Sequence, residues 1–416
     1  MNFNLPQGWK LAKLGEVGEV ITGSTPSTSK PEYYGSEVPF VTPVDLDNDD
    51  PVTKAQNYLS RSGASQARLL PPDAVMVCCI GSLGKVGIAG IQLATNQQIN
   101  SLIFDKSKIL PRYGYHFCKT LKPILEHMAP STTVAIVNKS RFSEITIPFP
   151  PLPEQRRLAA ILDKADAIRR KRQRAIVLTE DFLRSAFLEM FGDPVTNPKG
   201  WGAGTIDEVV SNPKEDIRCG PFGTQLKVRE LVPEGIPLLG IENVHNDHFV
   251  SNTEKFLTEK KAEELSRFDA CPGDVLITRM GSIGRACVVP KGIGKARISY
   301  HLFRIRTNPD KCLPEFLAAT ICRSGTFQHQ LRRLAHGAIM DGLSTSILKE
   351  IVFLLPPVEM QLHYLNVVRK VERNLIKINH SAENANILFS SLTHRAFRGE
   401  LTPQAAEKLL KEAAAG

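Results

Sequence analysis

The chain is written twice, and that constrains its fold more than any other feature. Gly8-Trp9 recurs as Gly200-Trp201, using the only two tryptophans among 416 residues. VPFVTPVDL at 38–46 recurs as IPLLGIENV at 236–244, and PPDAVMVCCIGSLGKVGIAG at 71–90 as CPGDVLITRMGSIGRACVVP at 271–290. LPRYGYHFCKTL at 110–121 answers to LPEFLAATICRS at 313–324, and SEITIPFPPLPEQ at 143–155 to KEIVFLLPPVEMQ at 349–361. The offset between copies grows from 192 residues at the tryptophans to 206 at the last segment, as small loop insertions on one scaffold would produce. A period of about 200 residues is too long for a solenoid repeat and describes two duplicated domains.

Each copy runs in the same order. A Gly-Trp start leads into a loop rich in Gly, Ser, Thr and Pro. Short β-branched segments come next, Ala74–Ile80, Lys85–Ile91 and Ser101–Phe104 in the first copy, and Val275–Thr278, Ala286–Val289 and Leu302–Arg306 in the second. They read as strands joined by tight turns. A helical stretch succeeds them (Arg112–Met128 or Pro314–Leu334), then a polar loop (131–140 or 336–346), then a strand ending in two prolines.

Beyond the prolines the chain changes in kind. Glu154 to Met190 contains no Gly or Pro, and its apolar residues recur every three or four positions, from Leu158, Ile161 and Leu162 to Phe182, Leu183 and Phe187. That spacing predicts an amphipathic helix, about 55 Å long at ~1.5 Å per residue. Glu359 to Phe397 repeats it, with a weaker middle at NHSAENAN. Two such stripes are expected to pair as an antiparallel coiled coil. The expected fold class is α/β: two similar globular domains, mixed α/β with short strands, separated by two long antiparallel coiled-coil helices in a pseudo-twofold internal duplication. The expected boundaries are 1–150, 151–192 for the central helix, 193–356, 357–402 for the second helix, and a tail at 403–416.

Composition excludes several classes. An apolar fraction of 42% with 23% charged residues is that of a globular protein, not a disordered one. No apolar run approaches the roughly 18 residues of a membrane span, and the start MNFNLPQGWK lacks the pattern of a secretion leader. A cytoplasmic location is expected. The formal net charge of +9 fits an acidic partner such as nucleic acid. The eight cysteines form no CxxC pair and are expected to be reduced thiols, with no metal site.

Catalytic motifs do not emerge. An amine methyltransferase would carry Asn/Asp-Pro-Pro-aromatic, and neither Asp193-Pro194-Val195 nor Asn197-Pro198-Lys199 does. Gly81-Ser82-Leu83-Gly84-Lys85 fails the phosphate-loop spacing, with Cys79 and Val86 at two required positions. It reads as a turn between strands, and the second copy has Gly281-Ser282-Ile283-Gly284-Arg285. His245 and His248 are either a metal pair or a polar turn around Asn246-Asp247, and the turn is the simpler reading.

The whole chain resembles the specificity subunits of type I restriction-modification systems. The resemblance is carried by GWKLAKLGEV at 8–17, GSTPSTSKPEYYG at 23–35 and PFPPLPEQRRLAAILDKAD at 148–166. CGPFGTQLKV at 219–228, IPLLGIENV and LTHRAFRGELT at 392–402 complete it. The second helix opens with PPVEMQ where the first has PLPEQ. The resemblance implies two target recognition domains, each reading half of a split double-stranded DNA sequence, with the helices as a ruler for the unread spacer. It also implies docking of two methyltransferase subunits and of motor-nuclease subunits. This chain would hold no cofactor and do no chemistry; S-adenosylmethionine, ATP and Mg would belong to the partners.

DNA reading needs cations on phosphates and Arg, Asn, Gln, Ser or Thr at base edges. In the first copy the candidates are Ser24, Thr25, Ser27, Thr28, Lys30, Tyr33, Lys85, Asn96, Gln97, Gln98, Asn138, Lys139 and Arg141. In the second they are Arg218, Phe222, Thr224, Gln225, Lys227, Arg279, Arg285, Arg297, Ser299, His301, Ser344 and Thr345. Taken singly, each is more simply a solvated loop residue; taken as a group, the loops are better read as DNA-facing. Partner docking is expected at Arg156, Arg157, Arg169, Arg170, Arg172, Phe191, Arg395, Phe397 and Arg398. The basic run 156–174 reads as a contact with DNA phosphates or an acidic subunit face, or as a solvated helix face. Two rivals stand beside the leading reading: a self-sufficient DNA enzyme, and a duplicated protein-binding adaptor.

Overall fold

The computed structural model describes residues 5–47, 51–129, 134–193, 195–335 and 342–415, so parts of the polar loops at 131–140 and 336–346 lie outside the described residues. By contacts the chain separates into two units: Met1–Arg174 with Ile378–Gly416, and Ala175–Lys377. Both cuts fall inside long helices. Among the described residues no helix is long and apolar enough to cross a membrane.

The first unit is built on two four-stranded sheets. One, wholly antiparallel, runs Gly18–Thr22, Ile99–Phe104, Val75–Cys78, Val86–Ile88. The other runs Asn57–Leu59, Tyr34–Val41, Leu93–Thr95, Leu69–Leu70, with a parallel central pair. The second unit repeats the first sheet with Ile217–Cys219, Leu302–Ile305, Val275–Thr278 and Ala286–Val288. Its second sheet has three strands, Phe256–Leu257, Ile236–Leu239 and Arg297–Ile298, again with a parallel pair. The repetition reaches the register. Val75 faces Leu102 and Cys78 faces Ile99, while Val275 faces Ile305 and Thr278 faces Leu302. Val75–Cys78 and Val275–Thr278 are buried throughout, which is why they read as nearly continuous apolar runs rather than alternating ones.

Each expected short helix is two helices. Pro111–Cys118 is succeeded by Lys122–Met128, and Pro314–Arg323 by Gly325–Ala335. Pro123 has no amide to donate to a continuing helix, so it sits at the start of the second one. In the second copy the break falls at Ser324-Gly325.

The two long helices are Leu152–Phe191 and Val358–Phe397, 40 residues each. The second continues through NHSAENAN, where Ala382 and Ala385 are buried. Gly192 and Gly399, both at positive φ, end them, adopting the left-handed conformation that stops a helix. Within the first unit the helices run antiparallel: Arg157 meets Leu401, while Arg169, twelve residues on, meets Phe389, twelve residues back. Within the second unit Phe187 and Phe191 pack on Tyr364 and Phe316. The expected tail at 403–416 is instead a helix, Pro403–Ala415. Leu401, Ala406, Leu409 and Leu410 pack it on the core of the first unit.

Candidate nucleic-acid interface

In the first unit, backbone hydrogen bonds gather loops that are far apart in sequence. The chain leaving Gly18–Thr22 is tied to the 95–99 turn by Gly23 N to Ile99 O (3.0 Å) and Ser24 N to Thr95 O (2.9 Å). A Cβ on Gly23 would lie 2.2 Å from the Asn96 carbonyl, so glycine is required by the close approach. Cys79 N donates to Gln98 O, Val137 N to Cys79 O and Gly81 N to Ala135 O. Residues 23–33, 79–85, 95–98 and 135–141 thereby form one edge. The Gly81–Lys85 segment is the expected strand turn, with Gly81 and Gly84 at positive φ.

The second unit repeats three of these ties, while Pro221, with no amide hydrogen, stands where Ser24 donates. Gly220 N donates to Leu302 O, and its Cβ would lie 2.1 Å from Ser299 O. Arg279 N donates to His301 O, as Cys79 does to Gln98, and Leu343 N to Arg279 O, as Val137 does to Cys79. Asn138 and Ser344 occupy matching places and cap the helices Lys139–Ser143 and Thr345–Glu350.

On this shared backbone the side chains differ. Thr25 donates to Gln97 Oε1 at 2.5 Å, with Gln98 beside it bonded to Asn96 Nδ2 at 2.8 Å. The corresponding positions hold Phe222, 64% exposed, and the Tyr300–His301 ring pair, 3.7 Å between centroids. Partial burial, with Lys255 and Arg279 nearby, pushes the His301 imidazole below its ordinary pKa against the pull of Glu242. Near pH 7 it offers one donor and one acceptor. One edge is lined by hydroxyl and amide groups, the other by rings.

The remaining candidates divide by exposure. Ser27, Thr28, Lys30, Lys139, Arg141, Thr224 and Lys227 are exposed, and Tyr33, Lys85, Arg218, Gln225, Arg285 and Thr345 half-buried. Lys30 lies over the Tyr33 ring and donates to its hydroxyl. Asn96, Arg297 and Ser299 are buried. Arg297 does not present a guanidinium to a ligand: its Nε and Nη1 donate to the carbonyls of Ala262 and Ala296 at 2.9 Å each. Arg279 is a cross-tie as well, reaching Cys219 Sγ (2.9 Å), Tyr300 O (3.3 Å) and Leu343 O (3.2 Å). His245 and His248 face each other across a hairpin that turns at Asp247, φ 55°.

The expected docking residues are partly redirected inward. Phe191 (1% exposed) and Phe397 (6%) are core residues, not surface ones. Phe397 packs edge-on against Tyr113 and Phe117, because its helix face turns toward the short helix Pro111–Cys118. Arg157 pairs with Glu154 and donates to Leu401 O. Arg169 and Arg170 converge with Lys119 on Asp166, a fully buried carboxylate. The basic run is therefore partly neutralised from within. Arg156 and Arg398 are exposed, and Arg172 and Arg395 half-buried.

Sequence reasoning missed Gln155 and Gln361, both fully buried. It also missed Tyr300, although an aromatic residue beside His301 at the Gln97 position was a usable signal.

Residues 6–179 match the family model for the type I restriction modification DNA specificity domain. The chain is 26% identical over 227 residues to the specificity subunit of type I restriction enzyme MjaIX from Methanocaldococcus jannaschii, covering 50% of this chain and 52% of that one. It is 34% identical over 151 residues to the HindI specificity subunit of Haemophilus influenzae, covering 35% and 33%. It thus spans about half, or a third, of those relatives' lengths. With the EcoKI specificity subunit of Escherichia coli K12 the alignment runs 433 residues at 22% identity and covers 96% of this chain and 90% of that one. In fold it matches the crystal structure of a type I restriction-modification system S subunit from M. genitalium, with TM-score 0.55 and 15% identity over 95% of this chain and 96% of that one. The chain is thus similar along nearly its whole length to type I restriction-modification specificity subunits, and its first copy matches their DNA specificity domain.

Proposed function

We propose that this chain is the non-catalytic reader of a bipartite DNA target, each unit contacting one half-site through its loop edge. One observation carries the reading: two edges share backbone geometry and differ in the side chains they present, as two readers of different base sequences must. Thr25, Gln97 and Gln98 suit hydrogen bonding to base edges, where a bidentate amide is worth about 1–3 kcal/mol of discrimination. Phe222 and Tyr300 suit apolar contact. Lys30, Lys85, Lys139, Arg141, Lys227 and Arg285 supply cations for phosphates.

The partners are proposed to be double-stranded DNA, two methyltransferase subunits and motor-nuclease subunits. S-adenosylmethionine, ATP and Mg would be held by those subunits. Exposed apolar side chains on the long helices support docking: Val177, Leu178, Phe182 and Leu188 on the first, Ile376 and Ile387 on the second.

The test is to map methylated bases in cells carrying this chain with its methyltransferase, then to exchange residues 1–150 for those of a relative. One half of the target is expected to change. A change in both halves, or in neither, would refute the reading.

A further inference from the structure

Each long helix is tied to its unit at its first turn by a buried glutamine, and the two ties are the same. Gln155 lies in the first turn of Leu152–Phe191 and Gln361 in the first turn of Val358–Phe397. Gln155 Oε1 accepts from Leu110 N at 2.9 Å, and its Nε2 donates to Lys108 O at 2.7 Å and Pro150 O at 2.9 Å. Gln361 Oε1 accepts from Leu313 N at 2.8 Å, and its Nε2 donates to Lys311 O at 3.1 Å and Pro356 O at 2.8 Å. Both amide hydrogens and the amide oxygen are used in each copy.

The three partners are placed where they control direction. Leu110 and Leu313 immediately precede the short helices Pro111–Cys118 and Pro314–Arg323. Pro150 and Pro356 belong to the proline pairs just after the last strands. Each glutamine therefore ties the end of a strand, the start of a short helix and the start of a long helix at one point. A rigid three-way joint there fixes the angle and rotation at which a unit's sheets leave its long helix. The recurrence of glutamine beside changed neighbours, Pro153-Glu154 against Glu359-Met360, marks the geometry as what is kept.

We infer that Gln155 and Gln361 are positioning residues for spacer length: they hold each reading edge at a fixed orientation on its helix, so that only half-sites at one separation are engaged together. The inference rests on the bipartite-reader proposal. Gln155→Glu is the direct perturbation. Its carboxylate still accepts from Leu110 N but faces two carbonyl oxygens with no hydrogen to give them, which opens the joint. Gln361→Glu does the same in the second unit, and Gln155→Asn keeps the amide while drawing it back by one methylene.

The experiment maps methylated sites for the full chain with its methyltransferase subunits, wild type against each variant, on a library holding both half-sites at varied spacing. The wild type is expected to methylate one spacing. The variants are expected to recognise the same half-site bases, while preference for that spacing falls by about tenfold, the order expected for losing the two hydrogen bonds that the amide donates. Gln155→Asn gives the same reading in milder form if Gln155→Glu yields too little protein. Uniformly weaker methylation with unchanged spacing preference would make the glutamines merely structural and overturn the inference, as would altered half-site bases. Absence of a two-part target in the wild type would instead sink the bipartite-reader proposal itself.

Discussion

Replacing Phe397 by Ala separates a docking residue from a core residue. The side chain is 6% exposed, with Tyr113 at 5.2 Å and Phe117 at 5.4 Å, both edge-on. Removing a buried phenylalanine costs about 3–5 kcal/mol in lost burial and residual cavity, of which each aromatic pair supplies about 0.5–1.5 kcal/mol. The two tryptophans lie in different units, and a Cβ on Gly399, two residues past Phe397, would touch Trp9 at 3.3 Å. In a Trp201→Phe background, Trp9 fluorescence therefore reports the first unit during urea unfolding. With an m-value of about 2 kcal/mol per molar, the midpoint should fall by roughly 1.5–2.5 M. A purely partner-facing Phe397 would leave the isolated chain's midpoint unchanged and lose only complex formation. A shift below about 0.5 M, or 1 kcal/mol on the same slope, would refute its place in the core.

Further outcomes are expected at three positions. His116 is fully buried against Asp163 and its pKa is held below the usual value by burial. The unfolded chain takes up a proton near pH 6.5 that the fold resists, so stability of the first unit should decline as pH drops through about 6.5; urea midpoints at pH 7.5 and 5.5 should show this, with a smaller difference in His116→Gln. Asn138→Ala removes a helix cap and should cost about 0.5–2 kcal/mol in thermal unfolding. Asn138→Asp keeps the cap but should weaken salt-sensitive DNA binding by the complex. Phe222→Ala, at an exposed position, should leave stability within about 0.5 kcal/mol while relaxing base preference in one half of the mapped target only.

The candidate edges were partly legible in the sequence. Polar loops at matching places in both copies pointed to residues 24–33, 96–98 and 138–141, because side chains that bond to bases are polar and glycine marks tight backbone approach. Which of those polar groups face inward could not be read. Arg297 spends its guanidinium on two carbonyls, and Arg169 and Arg170 answer a buried Asp166. Gln155 looked like any surface glutamine on a charged helix. Its three partners are backbone groups, and backbone atoms leave no trace in residue identity.

Duplication, the runs that become strands and the two long helices were determined by the sequence alone, because repetition, β-branched runs and a three-to-four spacing are local properties of a chain. Which face of each helix is buried was decided only in the folded structure. Phe191 and Phe397 became core residues, and residues 403–415 a packed helix rather than a tail, because burial depends on what arrives from far along the chain. The matching ties at Gln155 and Gln361 belong to the same order of fact: a joint exists only once three distant segments meet.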